Sequence, residues 1–222
     1  MSSASAKTGP ALTASAKTFS AETLAQTVAD IRACRLCEQH LPLGPNPIVQ
    51  AMPEARIVLV SQAPGSIAHR KTLPYQDPSG VRLRDWLGVT EEEFYESGRF
   101  VIFPMGFCYP GKQGGGDAPP RPECAPAWHE RLWRSLPPVD LTVLIGAYAQ
   151  KHYLGKTRKK TLTATVQAFE EYLPTYLPIP HPSPRNNIWM RKNAWFEERV
   201  VPELRRRVRA SMKATSVEGV KG

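Results

Sequence analysis

The sequence has little of what marks membrane or secreted proteins. No run approaches the roughly 18 apolar residues that cross a bilayer, and the first twenty residues lack the apolar centre of a signal peptide. Only four cysteines occur in 222 residues, which is too few for a disulfide framework. We therefore expect a cytoplasmic protein without a membrane segment, whose cysteines are metal ligands or plain buried thiols.

Acidic residues are also scarce. The chain has 20 Asp and Glu against 29 Lys and Arg, a net charge of +9 and a pI of about 9.6. This excess favours a polyanionic partner, most simply nucleic acid. The length suits one α/β domain, and we expect a monomer with a single domain over residues 19–209, a disordered tail over residues 1–18 and a flexible tail over residues 210–222.

Four short segments have the apolar, β-branched or aromatic composition of buried parallel strands, each followed by Pro or Gly, and helical patterns separate them. This alternation predicts an α/β fold with a mainly parallel sheet covered on both faces, in which ligands bind beyond the carboxyl ends of the strands. The segments are Arg56–Val60, Arg99–Phe103, Leu141–Ile145 and Thr175–Ile179.

The loop after the first predicted strand begins "SQAPGS", a tight turn without an acid, a base or a nucleophile. Tyr75 and Asp77 follow further along this loop. Tyr75 is expected either to stack on a flat ligand or to pack within the protein. Asp77 is expected either to cap a helix that begins near Ser79 or to orient a water molecule.

The loop after the fourth predicted strand reads "PHPSPRNN" and contains His181. A lone histidine in a loop is often an ordinary surface residue. Its position at a strand end, with Ser183, Arg185 and Asn186 following, favours a functional role. An imidazole fixed there could donate a hydrogen bond to negative charge that develops on a leaving group.

The cysteines form two pairs along the chain. Two residues separate Cys34 from Cys37, and fifteen separate Cys108 from Cys124. Four thiolates suit a structural zinc ion or a [4Fe–4S] cluster, and the spacing alone does not choose between them. Four unliganded thiols are the remaining alternative.

Taken in order, these motifs resemble the uracil-DNA glycosylase superfamily, and most closely its iron–sulfur-containing branch. The shared motifs are a strand followed by Gln-Ala-Pro-Gly, a Pro-Tyr loop, Cys-x-x-Cys with two later cysteines, and His-Pro-Ser-Pro. The resemblance implies a three-layer α/β/α fold with a central four-stranded parallel sheet. It also implies that a damaged nucleotide leaves the DNA stack and enters a pocket at the strand ends.

The resemblance also implies roles for individual residues. Gln62, Ala63 and Gly65 would line the pocket and offer main-chain amides to uracil. Tyr75 would stack on the base, and His181 would support the departing uracil anion at its O2 atom. The cysteines would be ligands of a [4Fe–4S] cluster, with zinc as the alternative: Cys34, Cys37, Cys108 and Cys124.

The chain departs from its relatives in the first loop. In the classic glycosylases an Asp that positions the attacking water stands where Ala63 stands, and that carboxylate is absent here, as it is in the iron–sulfur branch. The iron–sulfur branch usually has Glu where this chain has Gln62, and Gly where it has Asp77. We therefore expect Asp77 to restore an acid to the pocket from another side of the same loop, as a second catalytic residue beside His181.

Two further departures concern DNA and base recognition. The segment "FPMGF" lacks the Asn with which relatives read the uracil edge, so Asn186 or main-chain groups are expected to substitute. Arg185 occupies the position of the usual apolar wedge, and we expect DNA contacts from Ser183, Arg185, Arg191 and Lys192.

The expected function is that of a monofunctional glycosylase, which hydrolyses the N-glycosidic bond of uracil in single- or double-stranded DNA and leaves an abasic site. Three alternatives remain open at this point. The chain could be a non-catalytic relative that binds lesions or abasic sites, a glycosylase for another deaminated base such as hypoxanthine, or an unrelated nucleic-acid-binding module with zinc or a cluster.

Overall fold

A computed structural model describes residues 19–213. The disorder expected for residues 1–18, and most of the expected C-terminal tail, lie outside these residues. The described chain forms nine α-helices: α1 (Ala21–Arg32), α2 (Ser66–Lys71), α3 (Pro78–Leu87), α4 (Glu91–Glu96), α5 (Cys124–Ser135), α6 (Gly146–Leu154), α7 (Leu162–Gln167), α8 (Asn187–Lys192) and α9 (Val201–Lys213). Its strands are β1 (Ile57–Val60), β2 (Phe100–Ile102), β3 (Lys112–Gln113), β4 (Gly116–Asp117), β5 (Leu141–Ile145) and β6 (Tyr176–Ile179).

Four of these strands form a parallel sheet in the order β2-β1-β5-β6. The three-layer α/β/α fold with a central four-stranded parallel sheet is thereby confirmed, and each predicted strand differs from the observed one by at most one residue at either end. Pro178 lies in β6, which is an edge strand of the sheet. An edge strand tolerates proline because one row of its backbone groups has no partner strand.

Successive side chains of the central strands enter opposite cores, as expected for a sheet covered on both faces. Ile57 and Leu59 of β1 pack in one core with residues of α3, α4 and α9, whereas Val58 and Val60 pack in the other with residues of α1, α5 and α6. All four side chains are fully buried. The strand β1 is therefore fixed on both faces, and the turn that follows it starts from a rigid support.

The strand order places the end of β1 at a point where the chain reverses its direction across the sheet. From β1 the chain adds β2 on one side and later returns to add β5 and β6 on the other. Open α/β sheets bind ligands beyond the carboxyl ends of their strands at such a point. The segments after β1, β2 and β6 are consequently brought to one edge.

The structure differs from the prediction in several local elements. The last helix continues to Lys213, past the domain boundary expected at residue 209. The helical pattern before the fourth predicted strand does not form one continuous helix: α7 ends at Gln167, and a 3₁₀ turn follows over Phe169–Tyr172. A wide π-helical turn over Phe196–Val200 precedes α9, near Pro202, which has no N–H group to donate.

Candidate active site

The main cavity lies at the carboxyl edge of the sheet. It has a volume of about 450 Å³ and is lined by residues that follow β1, β2 and β6, together with Asp77 and Asp117. Pockets of this size hold small organic molecules. The cavity lies at the edge where the sequence analysis expected the site, and its lining includes Gln62, Ala63, Gly65, Tyr75, His181, Ser183, Arg185 and Asn186.

The turn after β1 is held by its neighbour in the sheet. The Met105 amide donates to the Ser61 carbonyl over 2.8 Å, and the Gly106 amide donates to the Gln62 carbonyl over 3.0 Å. The side-chain amide of Gln62 donates to the carbonyl of Ala118 over 3.4 Å. Gln62 therefore joins two walls of the cavity, in addition to lining it.

His181 is fixed in one tautomer by its own loop. The Ser183 amide donates to Nδ1 of the imidazole over 3.2 Å, so the proton of the neutral ring lies on Nε2. Burial lowers the pKa of His181, although the charges of Asp77 and Asp117 oppose this shift. The ring is thus a neutral Nε2–H donor at physiological pH, which is the form that can donate to an anionic leaving group without itself carrying charge.

The main chain on either side of this imidazole is also fixed. Gly146, at the start of α6, has φ +83°, and a Cβ atom there would lie in ordinary van der Waals contact with the His181 Cβ, at 3.5 Å. Asn186 donates from its side chain to the His181 carbonyl over 2.7 Å. The Asn186 side chain therefore helps to hold the histidine loop.

Arg82 of α3 is a site residue that the sequence analysis missed. Its guanidinium donates to the Ser183 carbonyl over 3.2 Å and to the Asn187 side chain over 2.7 Å. It thereby clamps the histidine loop to α3, the helix that begins directly after Asp77. Nothing in its local sequence distinguishes Arg82 from an ordinary exposed arginine.

Asp77 is the cap of α3, as one of the two interpretations proposed. Its Oδ1 accepts a hydrogen bond from the Gly80 amide over 3.0 Å, and Pro78 occupies the first position of the helix. The other carboxylate oxygen, Oδ2, lies 4.0 Å from the position that a Cβ atom on Gly65 would take. Asp77 can therefore cap α3 and line the wall of the cavity at the same time.

Tyr75 lines the cavity in an unusual backbone conformation. Its φ is +59°, a region that residues other than glycine seldom adopt, and its carbonyl lies where a Cβ on Gly80 would be. The ring packs edge-on against Phe94, and its buried hydroxyl has no hydrogen-bond partner within residues 19–213. Burial raises the pKa of this phenol, and the Asp77 charge adds to the rise, so the hydroxyl stays protonated.

Asp117 is the second site residue that the sequence analysis missed. It ends a two-stranded hairpin, β3–β4, whose turn is formed by Gly114 and Gly115, both with positive φ. Two glycines between short extended segments are a recognised hairpin signal, and the "QGGGD" sequence carries it. Asp117 Oδ2 lies 3.5 Å from the position of a Cβ on Gly65.

Of the four predicted DNA contacts, the structure brings two to the cavity and leaves two beyond it. Arg185 crosses to the hairpin and donates to the Gly115 carbonyl over 2.8 Å, while Ser183 Oγ accepts from the Arg185 amide over 3.3 Å. The guanidinium of Arg185 is therefore engaged with the protein. Arg191 and Lys192 lie in the last turn of α8, exposed and outside the cavity.

The four cysteines come together in a second, smaller pocket. All four are free thiols and line this pocket, which is otherwise apolar except for Arg35. No three His, Cys, Asp or Glu side chains within residues 19–213 are close enough to hold a single metal ion. The fold thus brings the two cysteine pairs, which lie far apart in the sequence, to one pocket.

The surroundings of the cysteines also fit a bound group. Burial, with a smaller contribution from the neighbouring thiols, raises the pKa of Cys108 to about 11 and that of Cys124 to about 12. The Phe107 amide donates to Cys124 Sγ and the Trp128 indole to Cys34 Sγ, each over 3.3 Å. Hydrogen bonds to sulfur are a usual feature of iron–sulfur sites, and a metal would favour the thiolates that burial disfavours.

A buried histidine lies between the two pockets. His129 Nε2 donates to the Pro104 carbonyl over 3.1 Å, and its Nδ1 accepts from the Tyr153 hydroxyl, which in turn accepts from the Trp133 indole. This arrangement requires a neutral ring, and burial lowers the pKa of His129 to about 4. His129 therefore connects an element of each site. It donates to Pro104, which lines the main cavity, and it lies on α5, which begins at Cys124.

The fold and the main cavity together define an α/β/α protein with a base-sized pocket at the carboxyl edge of a parallel sheet. The family model of the Uracil DNA glycosylase superfamily matches residues 49–205, which contain all the cavity residues except Ile48. The chain belongs to this superfamily, and its membership indicates a DNA glycosylase that acts in DNA repair. Within the described part of the chain, no helix is both long and apolar enough to cross a membrane.

Proposed function

We propose that the protein is a uracil-DNA glycosylase, which flips a deaminated nucleotide out of DNA and hydrolyses its N-glycosidic bond. The observation that carries this proposal is the neutral imidazole of His181, whose Nδ1 accepts a hydrogen bond and whose Nε2–H is the free donor. The superfamily membership supports the reaction class.

The proposed reaction is mainly electrostatic. As the bond between the sugar C1′ and the base nitrogen breaks, positive charge develops on the sugar and negative charge on the base. The Nε2–H of His181 would donate to the base oxygen, and the low pKa of the ring keeps it uncharged before the bond breaks. A water oxygen bonds to C1′, one water proton goes to an acceptor on the protein, and the departing base is protonated as it leaves.

Base recognition would come from main-chain groups of the turn after β1. The segment "FPMGF" offers no side-chain amide, and the amides of Gln62 and Asn186 already donate within the protein. Gly65 has no side chain to exclude a base from the turn. Main-chain amides and carbonyls can read the polar edge of uracil, and they can also accept another deaminated base of the same outline.

The protein would bind DNA as a monomer, since a single chain forms the whole cavity. Arg191 and Lys192 follow the histidine loop on α8 and are exposed, so they are placed to contact backbone phosphates. The net charge of +9 supports binding to a polyanion.

We further propose that Cys34, Cys37, Cys108 and Cys124 hold a [4Fe–4S] cluster. Its contribution would be structural: it would tie together the end of α1, the segment after β2 and the start of α5. We expect the purified protein to absorb broadly at about 400 nm and to contain four irons per chain. One zinc per chain without colour would contradict the cluster.

The experiment that tests the glycosylase is an alkali-cleavage assay on oligonucleotides with one central uracil, hypoxanthine, xanthine or thymine. We expect strand cleavage at uracil, none at thymine and none before alkali, because a monofunctional enzyme leaves the abasic strand intact. The matched controls are His181→Gln, which should be inactive, and His40→Gln, which changes an exposed histidine outside the cavity. Cleavage at hypoxanthine alone would assign the enzyme to another base, and no cleavage at any deaminated base would overturn the catalytic proposal.

A further inference from the structure

The hairpin β3–β4 is held firmly against the main cavity, although it is a short surface element. The Ala118 amide donates to the Gly111 carbonyl over 2.8 Å at the base of the hairpin. Gln62 donates to the Ala118 carbonyl from the turn after β1, and Arg185 donates to the Gly115 carbonyl from the histidine loop. Two walls of the cavity therefore fix the hairpin and with it the last hairpin residue, Asp117.

Asp117 and Asp77 both lie close to the turn at Gly65. Their Oδ2 atoms lie 3.5 and 4.0 Å from the position that a Cβ atom on Gly65 would occupy. Both charges also act on the pKa of His181, opposing the effect of burial. Two carboxylates and the imidazole donor therefore line the same cavity, next to the turn in which Ala63 carries no carboxylate.

The two carboxylates differ in the hydrogen bonds that they accept. One oxygen of Asp77 is committed to the Gly80 amide as the cap of α3. No donor within residues 19–213 occupies the carboxylate of Asp117, which is exposed at the mouth of the cavity. Asp117 is accordingly the more available acceptor for a water molecule, and bound DNA would cover it.

We propose that Asp117 is a further catalytic residue, which holds the attacking water together with Asp77 while His181 supports the leaving base. The inference rests on the proposed glycosylase function. The water oxygen bonds to C1′ as the C1′–N bond breaks, and the electron pair of that bond goes to the base. The second water proton passes to the Asp117 carboxylate, which releases it to solvent, and the base anion takes one proton from solvent as it leaves, so that the net reaction consumes one water molecule and no oxidant or reductant.

The test is single-turnover kinetics on uracil-containing DNA for Asp117→Asn, Asp77→Asn and the double variant. Because general-base catalysis contributes about 10²- to 10⁴-fold, and the two carboxylates act as a unit, each single variant should be slowed about tenfold or more. The double variant should fall by less than the product of the two single effects. Asp140→Asn is the matched control, since Asp140 is exposed just before β5 at the opposite edge of the sheet.

A second readout separates catalysis from positioning of the hairpin. The affinity of Asp117→Asn for DNA with an uncleavable uracil analogue should be unchanged or tighter, because the substitution removes a negative charge that faces phosphates. A slower reaction with unchanged or tighter binding supports the inference. A wild-type rate in Asp117→Asn, or a loss explained by weaker binding, overturns the role of Asp117 alone, whereas an inactive wild-type protein on every deaminated base overturns the proposed function as well.

Discussion

The main cavity and the cysteine pocket contrast in almost every physical property. The main cavity is open, about 450 Å³ in volume, and lined by polar and charged groups such as His181 and Asp117. The cysteine pocket is small and mostly apolar, with sulfur atoms that already receive hydrogen bonds from the protein. The first is suited to a ligand that enters and leaves, and the second to a group that stays and holds segments together.

The largest effect should come from the cysteine pocket. Replacing Cys108 by Ser would remove one of the four proposed ligands from a buried set, and loss of a structural metal site typically costs about 4 kcal/mol or more of unfolding free energy. We expect the variant to lose its iron and to unfold at a lower urea concentration, measured by circular dichroism. Chelation should destabilise the wild-type protein and leave the variant unchanged; equal stability of both proteins before chelation would contradict a structural group.

The next largest effect should come from the main cavity, and it should appear in rate rather than in stability. His181→Gln removes the Nε2–H donor, and loss of one such donor typically slows catalysis about 10²- to 10³-fold. Single-turnover base release should fall by this amount while the urea midpoint stays near that of the wild type. A comparable loss of folding stability would mean that His181, like the cysteines, is mainly structural.

The pH dependence of stability tests the histidine that joins the two pockets. The pKa of His129 is about 4 in the folded protein, below its ordinary 6.5, so the unfolded chain binds the extra proton first as the pH falls. Its contribution to stability is present above pH 6.5 and is lost between pH 6.5 and 4, for a total of roughly 3 kcal/mol.

Urea unfolding at pH 7.5 and 4.5 measures this loss. Burial lowers the pKa values of His152 and His181 too, so the comparison must be made against a His129→Gln variant. The variant should have the lower stability at pH 7.5 and a flatter pH dependence. An unchanged slope would show that another group carries the acid sensitivity.

The smallest effect should come from the exposed cations beside the main cavity. Arg191→Ala and Lys192→Ala should each weaken binding to all DNA sequences alike and reduce the slope of log affinity against log salt by about one. Fluorescence anisotropy over a salt series measures both quantities. Arg134→Ala is the control, because Arg134 lies at the end of α5 that leads into β5, and it should leave the slope unchanged. Equal slopes for all three variants would mean that DNA does not contact Arg191 and Lys192.

The sequence predicted the architecture well because local patterns determine it. Buried parallel strands are continuous apolar runs, and helix ends carry capping residues such as Thr90 with Glu93, which the structure confirms as a capping box. The position of His181 at a strand end followed from the same alternation of strands and helices. These features depend on neighbours along the chain and can be read from it.

The missed features depend on contacts between distant segments. The clamp of Arg82 on the histidine loop spans about a hundred residues, and the use of the Gln62 and Asn186 amides within the protein follows from packing. The hairpin of Asp117 had a local signal in its glycines, but only the folded chain brings that carboxylate beside Gly65. The α6 helix was missed because it begins at Gly146, directly after β5 and without a side-chain cap.

The central claim is that the neutral His181 imidazole assists departure of uracil from DNA. Its most direct test is the mass-spectrometric identification of the base released from uracil-containing oligonucleotides. The account predicts free uracil in amounts equal to the alkali-labile sites for the wild-type protein, and almost none for His181→Gln. Binding of such DNA without any released base, in a correctly folded and fully loaded protein, would contradict it.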